Sequence, residues 1–146
     1  MLTHTKQKMS ESALWKDMKK NIGHLGHFSR VESHETSSGI PDVDFCINGT
    51  EGHIELKFGR NKAPKIRGSQ GKWFKRRVEA GGNPWMFAHL VIDKTDYYVL
   101  YSGHIVANLT TERNTAIWVD RATKTWKGYR DWNEFVKHLT IRRRYD

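Results

Sequence analysis

The chain of 146 residues contains a single cysteine, Cys46, which excludes an intramolecular disulfide and fits a reducing compartment. A long hydrophobic run is also missing. The longest apolar-rich stretch, Trp85 to Ile92, is interrupted by His89 and falls far short of the ~20 residues that a membrane span needs. The opening MLTHTKQKMSES has no apolar segment of signal-peptide length. Together these absences predict a soluble, cytoplasmic protein with no membrane partner. A third absence is local: between Lys57 and Arg77 there is no acidic residue, while nine basic ones are present.

That segment explains the charge of the whole chain. With 25 Lys and Arg against 16 Asp and Glu, the formal net charge is +9. Setting the nine basic residues of the segment aside leaves the remainder neutral. Trp73 and Phe74 are interleaved with them, so the segment reads as a phosphate-binding face rather than a merely solvated basic helix. Six Trp, six Phe and five Tyr supply the apolar area of a globular domain, and the length leaves room for one core only.

Along the chain, Ser10 or Ser12 can cap a first helix reaching about Ile22, with Leu14, Trp15, Met18 and Ile22 at helical spacing and Gly23 as its stop. A loop with one short strand near 27–32 follows. From Pro41 to Phe58 the period is two: Val43, Phe45 and Ile47, then Ile54, Leu56 and Phe58, separated by the turn residues Asn48-Gly49-Thr50. Two registers keep both apolar sets on one face. A turn centred on Asn48-Gly49 sets Asp42 opposite Glu55; one centred on Gly49-Thr50 sets Asp42 opposite Lys57 and Asp44 opposite Glu55. In either, the carboxylates and Lys57 share the polar face.

Beyond a basic loop, Ser69 can cap a second helix from about Gln70 to Ala80, ended by Gly81-Gly82, on which Trp73 and Phe74 serve as core anchors. A second hairpin follows, Trp85 to Asp93 and Tyr97 to Tyr101 about a turn at Lys94-Thr95. Ile117 to Val119 are expected to add a short strand, and Trp132, Phe135, Val136 and Leu139 mark a final amphipathic helix before the tail Arg142-Arg143-Arg144. No internal repeat is present. The order predicts an α/β domain spanning residues 1–146, with helices covering a mixed central sheet.

Carboxylates clustered on a sheet face repel one another unless a cation neutralises them, and hard divalent cations take oxygen ligands. Asp42 and Glu55 form such a pair. A lysine two residues after the glutamate, on the same face, suits stabilisation of charge developing on an attacked phosphate. Glu-x-Lys alone is commonplace. Its meaning comes from joint occurrence with Gly39-Ile40-Pro41-Asp42, which delivers Asp42 to a strand start, and with the basic segment immediately beyond.

Gly39-Ile40-Pro41-Asp42 followed by Glu55-Leu56-Lys57 resembles the signature of the PD-(D/E)xK nuclease superfamily. The Ser69-Gln70-Gly71-Lys72-Trp73 helix start, with Gly81-Gly82 before a strand, is similar to its VRR-NUC branch. The resemblance covers roughly residues 11–102, leaving 103–146 as a C-terminal extension of the same domain. It implies a restriction-endonuclease-like core and a metal-dependent DNA endonuclease leaving 5′-phosphate and 3′-hydroxyl ends. By resemblance, Asp42, Glu55 and the Leu56 carbonyl would ligate Mg²⁺, for which Mn²⁺ would substitute. Lys57 would position or polarise the attacking water, Gln70 would support the site, and the family's acidic residue of the first helix would be Glu11, with Glu32 as its competitor. Arg60, Lys62, Lys65, Arg67, Lys72, Lys75 and Arg76 would meet DNA. Branched DNA such as four-way (Holliday) junctions, and a homodimer, are the implied substrate and assembly, as in small phage and bacterial resolvases. The alternatives are a non-catalytic DNA-binding module and a nuclease of flap or linear DNA in phage replication or repair.

Other polar residues are read conservatively. His24, His27 and His34 with Cys46 match no structural zinc spacing. His53 shares the Glu55 face and is taken as a surface or hydrogen-bonding group. Asp44 could stand beside the metal or in solvent, and Cys46 lacks a paired base.

Overall fold

The Ser10 side chain accepts a hydrogen bond from the Ala13 N–H at 3.0 Å and so starts α1, Glu11–Ile22. The computed structural model describes residues 10–31 and 39–141. Leu14, Met18 and Ile22 are buried along one side of α1. Gly23 takes a right-handed helical conformation, so the chain tightens into a 3₁₀ turn, Gly23–Leu25, instead of stopping.

Six strands follow in spatial order β1 to β6: β1 His27–Arg30, β2 Val43–Ile47, β3 Thr50–Arg60, β4 Pro84–Ile92, β5 Thr95–Ser102 and β6 Lys124–Lys127. All neighbours are antiparallel except β3 and β4, which are parallel and joined through α2, Gly68–Glu79. A parallel pair needs a crossover, and α2 supplies it. The fold is α/β, a mixed central sheet flanked by helices.

The β2–β3 register pairs Val43 with Ile54 and Ile47 with Thr50, which selects the Asn48-Gly49 turn of the two alternatives. Both residues have positive φ, 49° and 79°, as a type I′ hairpin demands of its two central positions. The β4–β5 hairpin turns one residue earlier than expected. Asp93 and Lys94, not Lys94 and Thr95, hold the positive φ, and the Asp93 N–H is fixed by Asn61 Oδ1 at 2.9 Å.

Each sheet face carries its own core. On one, α1 and α5 (Trp132–Thr140) cover Val43, Phe45, Ile54, Leu56, Phe87 and Trp126. On the other, α2, α3 (Gly103–Val106) and α4 (Thr115–Asp120) cover Met86, Ala88, Leu90, Val99 and Tyr101. Burial on both faces explains why β4 is buried from Pro84 to Val91.

The segment beyond 102 departs most from expectation. Ile117–Val119 is helical, within α4, because the Asn114 side chain caps the Ala116 N–H at 2.9 Å and starts a turn that buries Trp118 against Tyr101. The strand lies instead at Lys124–Lys127, where Trp126 enters the first core. The final helix is where the periodicity placed it, capped by Asp131, which accepts from the Glu134 N–H at 3.0 Å. Arg142, Arg143, Arg144, Glu32 and His34 lie outside the described residues.

Candidate active site

Alternation along β3 sends Glu55 and Lys57 to the face that α2 covers, with Leu56 between them in the opposite core. Asp42 immediately precedes β2, in line with Glu55 by the β2–β3 register. Two hydrogen bonds lock the pair. The Leu56 N–H donates to Asp42 Oδ2 at 3.0 Å, and the Asp42 N–H donates to Glu55 Oε1 at 3.2 Å.

The loop carrying Asp42 is seated by Gly39. Its φ of 76° suits glycine, and a Cβ there would collide with the Ser69 and Gln70 main chain at the start of α2. The Gly-Ile-Pro-Asp turn is therefore packed directly against the helix that completes the site.

Gln70 makes that completion. Its Nε2 donates to Glu55 Oε2 at 2.7 Å, while its Oε1 accepts from Lys57 Nζ at 3.0 Å and from the Arg67 N–H at 2.9 Å. The bond to Arg67 is the return half of a capping box and starts α2 at Gly68, two residues before the expected start, with Arg67 rather than Ser69 as N-cap. One side chain thus caps the helix and cross-links the carboxylate and ammonium of β3.

Lys57 Nζ donates also to the Lys65 carbonyl at 2.8 Å and lies 3.3 Å from Glu55 Oε2. Glu55, Lys57 and Gln70 are 3%, 7% and 4% exposed. Keeping an ionised Glu55 and Lys57 together out of water would cost several kcal/mol per ion, on the order of what their attraction returns, and an apolar pair of like volume would serve stability as well or better. An arrangement that does little for stability and keeps a buried carboxyl beside a buried ammonium at a sheet face is the pattern of a chemical site.

Burial is the largest cause raising the Glu55 pKa, to about 8, with the Asp42 carboxylate pushing the same way and Lys57 opposing. Glu11, in the first turn of α1, has an exposed surface, but partial loss of water around its carboxyl raises its pKa. Lys57 lowers it, Asp42 raises it and Arg30 lowers it, so Glu11 stands within the electrostatic field of the site.

The donors are carboxylate oxygens, which hard cations prefer, and burial together with the Asp42 charge outweighs Lys57 at Glu55, leaving it short of positive charge. The set fits. Among the described residues no group of three or more His, Cys, Asp or Glu side chains is placed to hold a metal by itself, so main-chain and water oxygens would have to complete a coordination sphere.

The basic segment surrounds this constellation. Arg60, Lys62, Lys65, Arg67, Lys72, Lys75 and Arg76 are all exposed. Lys65 and Arg67 flank the site through their main chains. Along α2, a groove of about 660 Å³ is lined by Lys72, Trp73, Arg76 and Arg77. Phe74 is a core anchor as expected, but Trp73 is only half-buried, edge-on to His53 at 5.1 Å and beneath the Arg77 guanidinium at 4.6 Å. Asp44 is exposed and 3.7 Å from His53, whose neutral form is favoured chiefly by burial. One feature escaped sequence reasoning, the Lys65 carbonyl, since main-chain acceptors carry no side-chain signal; the place of Arg77 over Trp73 follows from their i, i+4 spacing on α2.

No family model matches the chain, and no curated protein does. Among solved structures, the chain is similar to Hjc, a Holliday junction resolvase of the hyperthermophilic archaeon Archaeoglobus fulgidus, at 12% identity over 80% of this chain and 85% of that one, with a TM-score of 0.48. No described helix is long and apolar enough to cross a membrane.

Proposed function

We propose that this chain is a metal-dependent DNA endonuclease of the PD-(D/E)xK type, similar to its VRR-NUC branch and selective for branched DNA such as four-way junctions. The observation that carries the reading is the buried Glu55–Gln70–Lys57 cross-link with Asp42 bonded to its edge. Asp42 and Glu55, with the Leu56 carbonyl, would hold Mg²⁺ or Mn²⁺, and Glu11 would add its negative charge to the field around the cation. When bound, the cation would lower the pKa of a coordinated water and shield the negative charge of the phosphate.

The chain's own residues do the rest. Hydrolysis joins a water oxygen to phosphorus and breaks the P–O3′ bond; the departing oxygen takes up a proton, leaving 5′-phosphate and 3′-hydroxyl ends. Lys57 stabilises charge that develops on the attacked phosphate. All three of its donors have protein acceptors at rest, so it is aimed beforehand and exchanges one of them for a substrate or water oxygen. Gln70 holds Lys57 and Glu55 in register. The exposed lysines and arginines around the site bind backbone phosphates, which gives affinity and orientation without reading bases.

One domain presents one such site, so cutting two strands symmetrically calls for a homodimer. The test is incubation with labelled four-way junction, flap and linear duplex DNA in Mg²⁺ and in chelator. Mg²⁺-dependent cutting that favours the branched substrates is expected. Tight binding with no cutting in Mg²⁺ or Mn²⁺ selects the non-catalytic module instead.

A further inference from the structure

A second cleft, of about 770 Å³, opens on the opposite face of the sheet, between α1 and strands β4 and β5. It is rooted in a row of stacked groups running across three strands. Phe58 meets His89 edge-on at 5.3 Å, His89 stacks on Tyr98 at 4.5 Å, and the Arg130 guanidinium lies 4.4 Å from the Tyr98 ring centre. Asp96 fixes the buried His89 at 2.8 Å, and Asp17 of α1 pairs with Arg130.

Among the described residues, two cations of this cleft are unpaired and a third is only partly satisfied. The buried Nε of Arg130 has no hydrogen-bond partner, an expensive state for a charged group's donor. Lys16 and Lys20 line the same cleft, and neither makes an ion pair among the described residues. Against them stands one acidic lining residue, Asp17, already engaged by Arg130. The ligand such a cleft suits is an anion with several oxygens. Its volume falls in the range of small-ligand pockets, about 300–1,000 Å³, which admits a nucleotide but not a duplex.

The cleft also adjoins the candidate active site. Ser10 and Ser12 line it, on either side of Glu11 in the first turn of α1. On β3, Phe58 at the root of the row directly follows Lys57.

We propose that this cleft holds a phosphate of an unpaired DNA strand passing the first turn of α1 from the active site, a subsite for the single-stranded part of a branched substrate; this rests on the nuclease reading. Arg130 and the two lysines supply the phosphate contacts, and the stacked row sets the guanidinium in place. Such a site would distinguish a flapped or open junction from a blunt duplex by occupancy, with no base read.

The test is fluorescence anisotropy with chelator present, comparing wild type with Lys16→Ala/Lys20→Ala on a duplex bearing a single-stranded flap and on the same duplex without it. Both lysines are exposed, so the variant should fold. Flap affinity is expected to fall about tenfold, and the log–log salt slope to shrink by roughly 1.4, two contacts at about 0.7 each on a single strand. Blunt-duplex affinity should stay within about twofold. Unchanged flap affinity, or equal losses on both substrates, overturns the proposal. Mg²⁺-dependent cutting by wild type checks the nuclease reading separately, so either can fail alone; wild type that binds neither DNA overturns both.

Discussion

Gln70 Nε2 lies 2.7 Å from Glu55 Oε2, joining the start of α2 to the middle of β3 through two buried side chains. The same amide accepts from Lys57 Nζ and the Arg67 N–H, so helix initiation and site geometry depend on one residue. Replacing it with alanine leaves a buried carboxyl and a buried ammonium each short of a partner. Gln70→Ala is expected to lose about 1–3 kcal/mol of stability, read by denaturant unfolding, and to cut DNA more slowly. The exposed Lys72→Ala, two residues on, should change stability by less than about 0.5 kcal/mol and weaken DNA binding instead.

Glu55 predicts a pH dependence of the metal-free protein. Its folded pKa of about 8 lies above the ordinary 4.5, so between those values the native state keeps a proton that the unfolded chain has lost. This contribution is fully present below about pH 4.5 and is lost as pH rises towards about 8. Thermal unfolding in chelator should show Tm falling across that window. Glu55→Gln should flatten the fall, and Mg²⁺ should raise Tm more at pH 8 than at pH 6, because a cation competes with the proton for the carboxylate. A Tm that rises from pH 5 to 8 and is indifferent to Glu55→Gln would contradict this.

Gly39 predicts a backbone effect. Its positive φ and its closeness to the Ser69 main chain leave no room for a methyl group. Gly39→Ala should cost about 1–3 kcal/mol and, by shifting Asp42 away from Glu55, should reduce cleavage more than binding. Gly49→Ala is the comparison. Its φ is also positive, 79°, but nothing stands near its Cβ position, so it isolates conformational strain from collision.

How much of this was legible in the sequence follows from the range of each signal. The face shared by Asp42, Glu55 and Lys57 was readable because strand alternation is strict and Asn48-Gly49 admits few turns; pairing across the hairpin then settled the register. Helices with long apolar periods, α1 and α5, were equally clear. Ile117–Val119 was not, since three apolar residues carry no period and the deciding Asn114 cap lies outside them. β6 was missed because Trp126 is its one core residue. The Lys65 carbonyl on Lys57 and the cleft at Arg130 arise from chain segments brought together only by folding.

The central claim is that Lys57 acts on the bond being broken, and single-turnover cleavage of a four-way junction in Mg²⁺ by wild type and Lys57→Ala tests it most directly. Junction affinity in chelator and native far-UV dichroism serve as controls. Loss of one preorganised donor to charge developing in a transition state costs about 2.7–4 kcal/mol, so the variant's rate should fall about 10²–10³-fold while junction affinity changes by less than about threefold. A folded Lys57→Ala protein that cuts the junction at the wild-type rate would contradict the account.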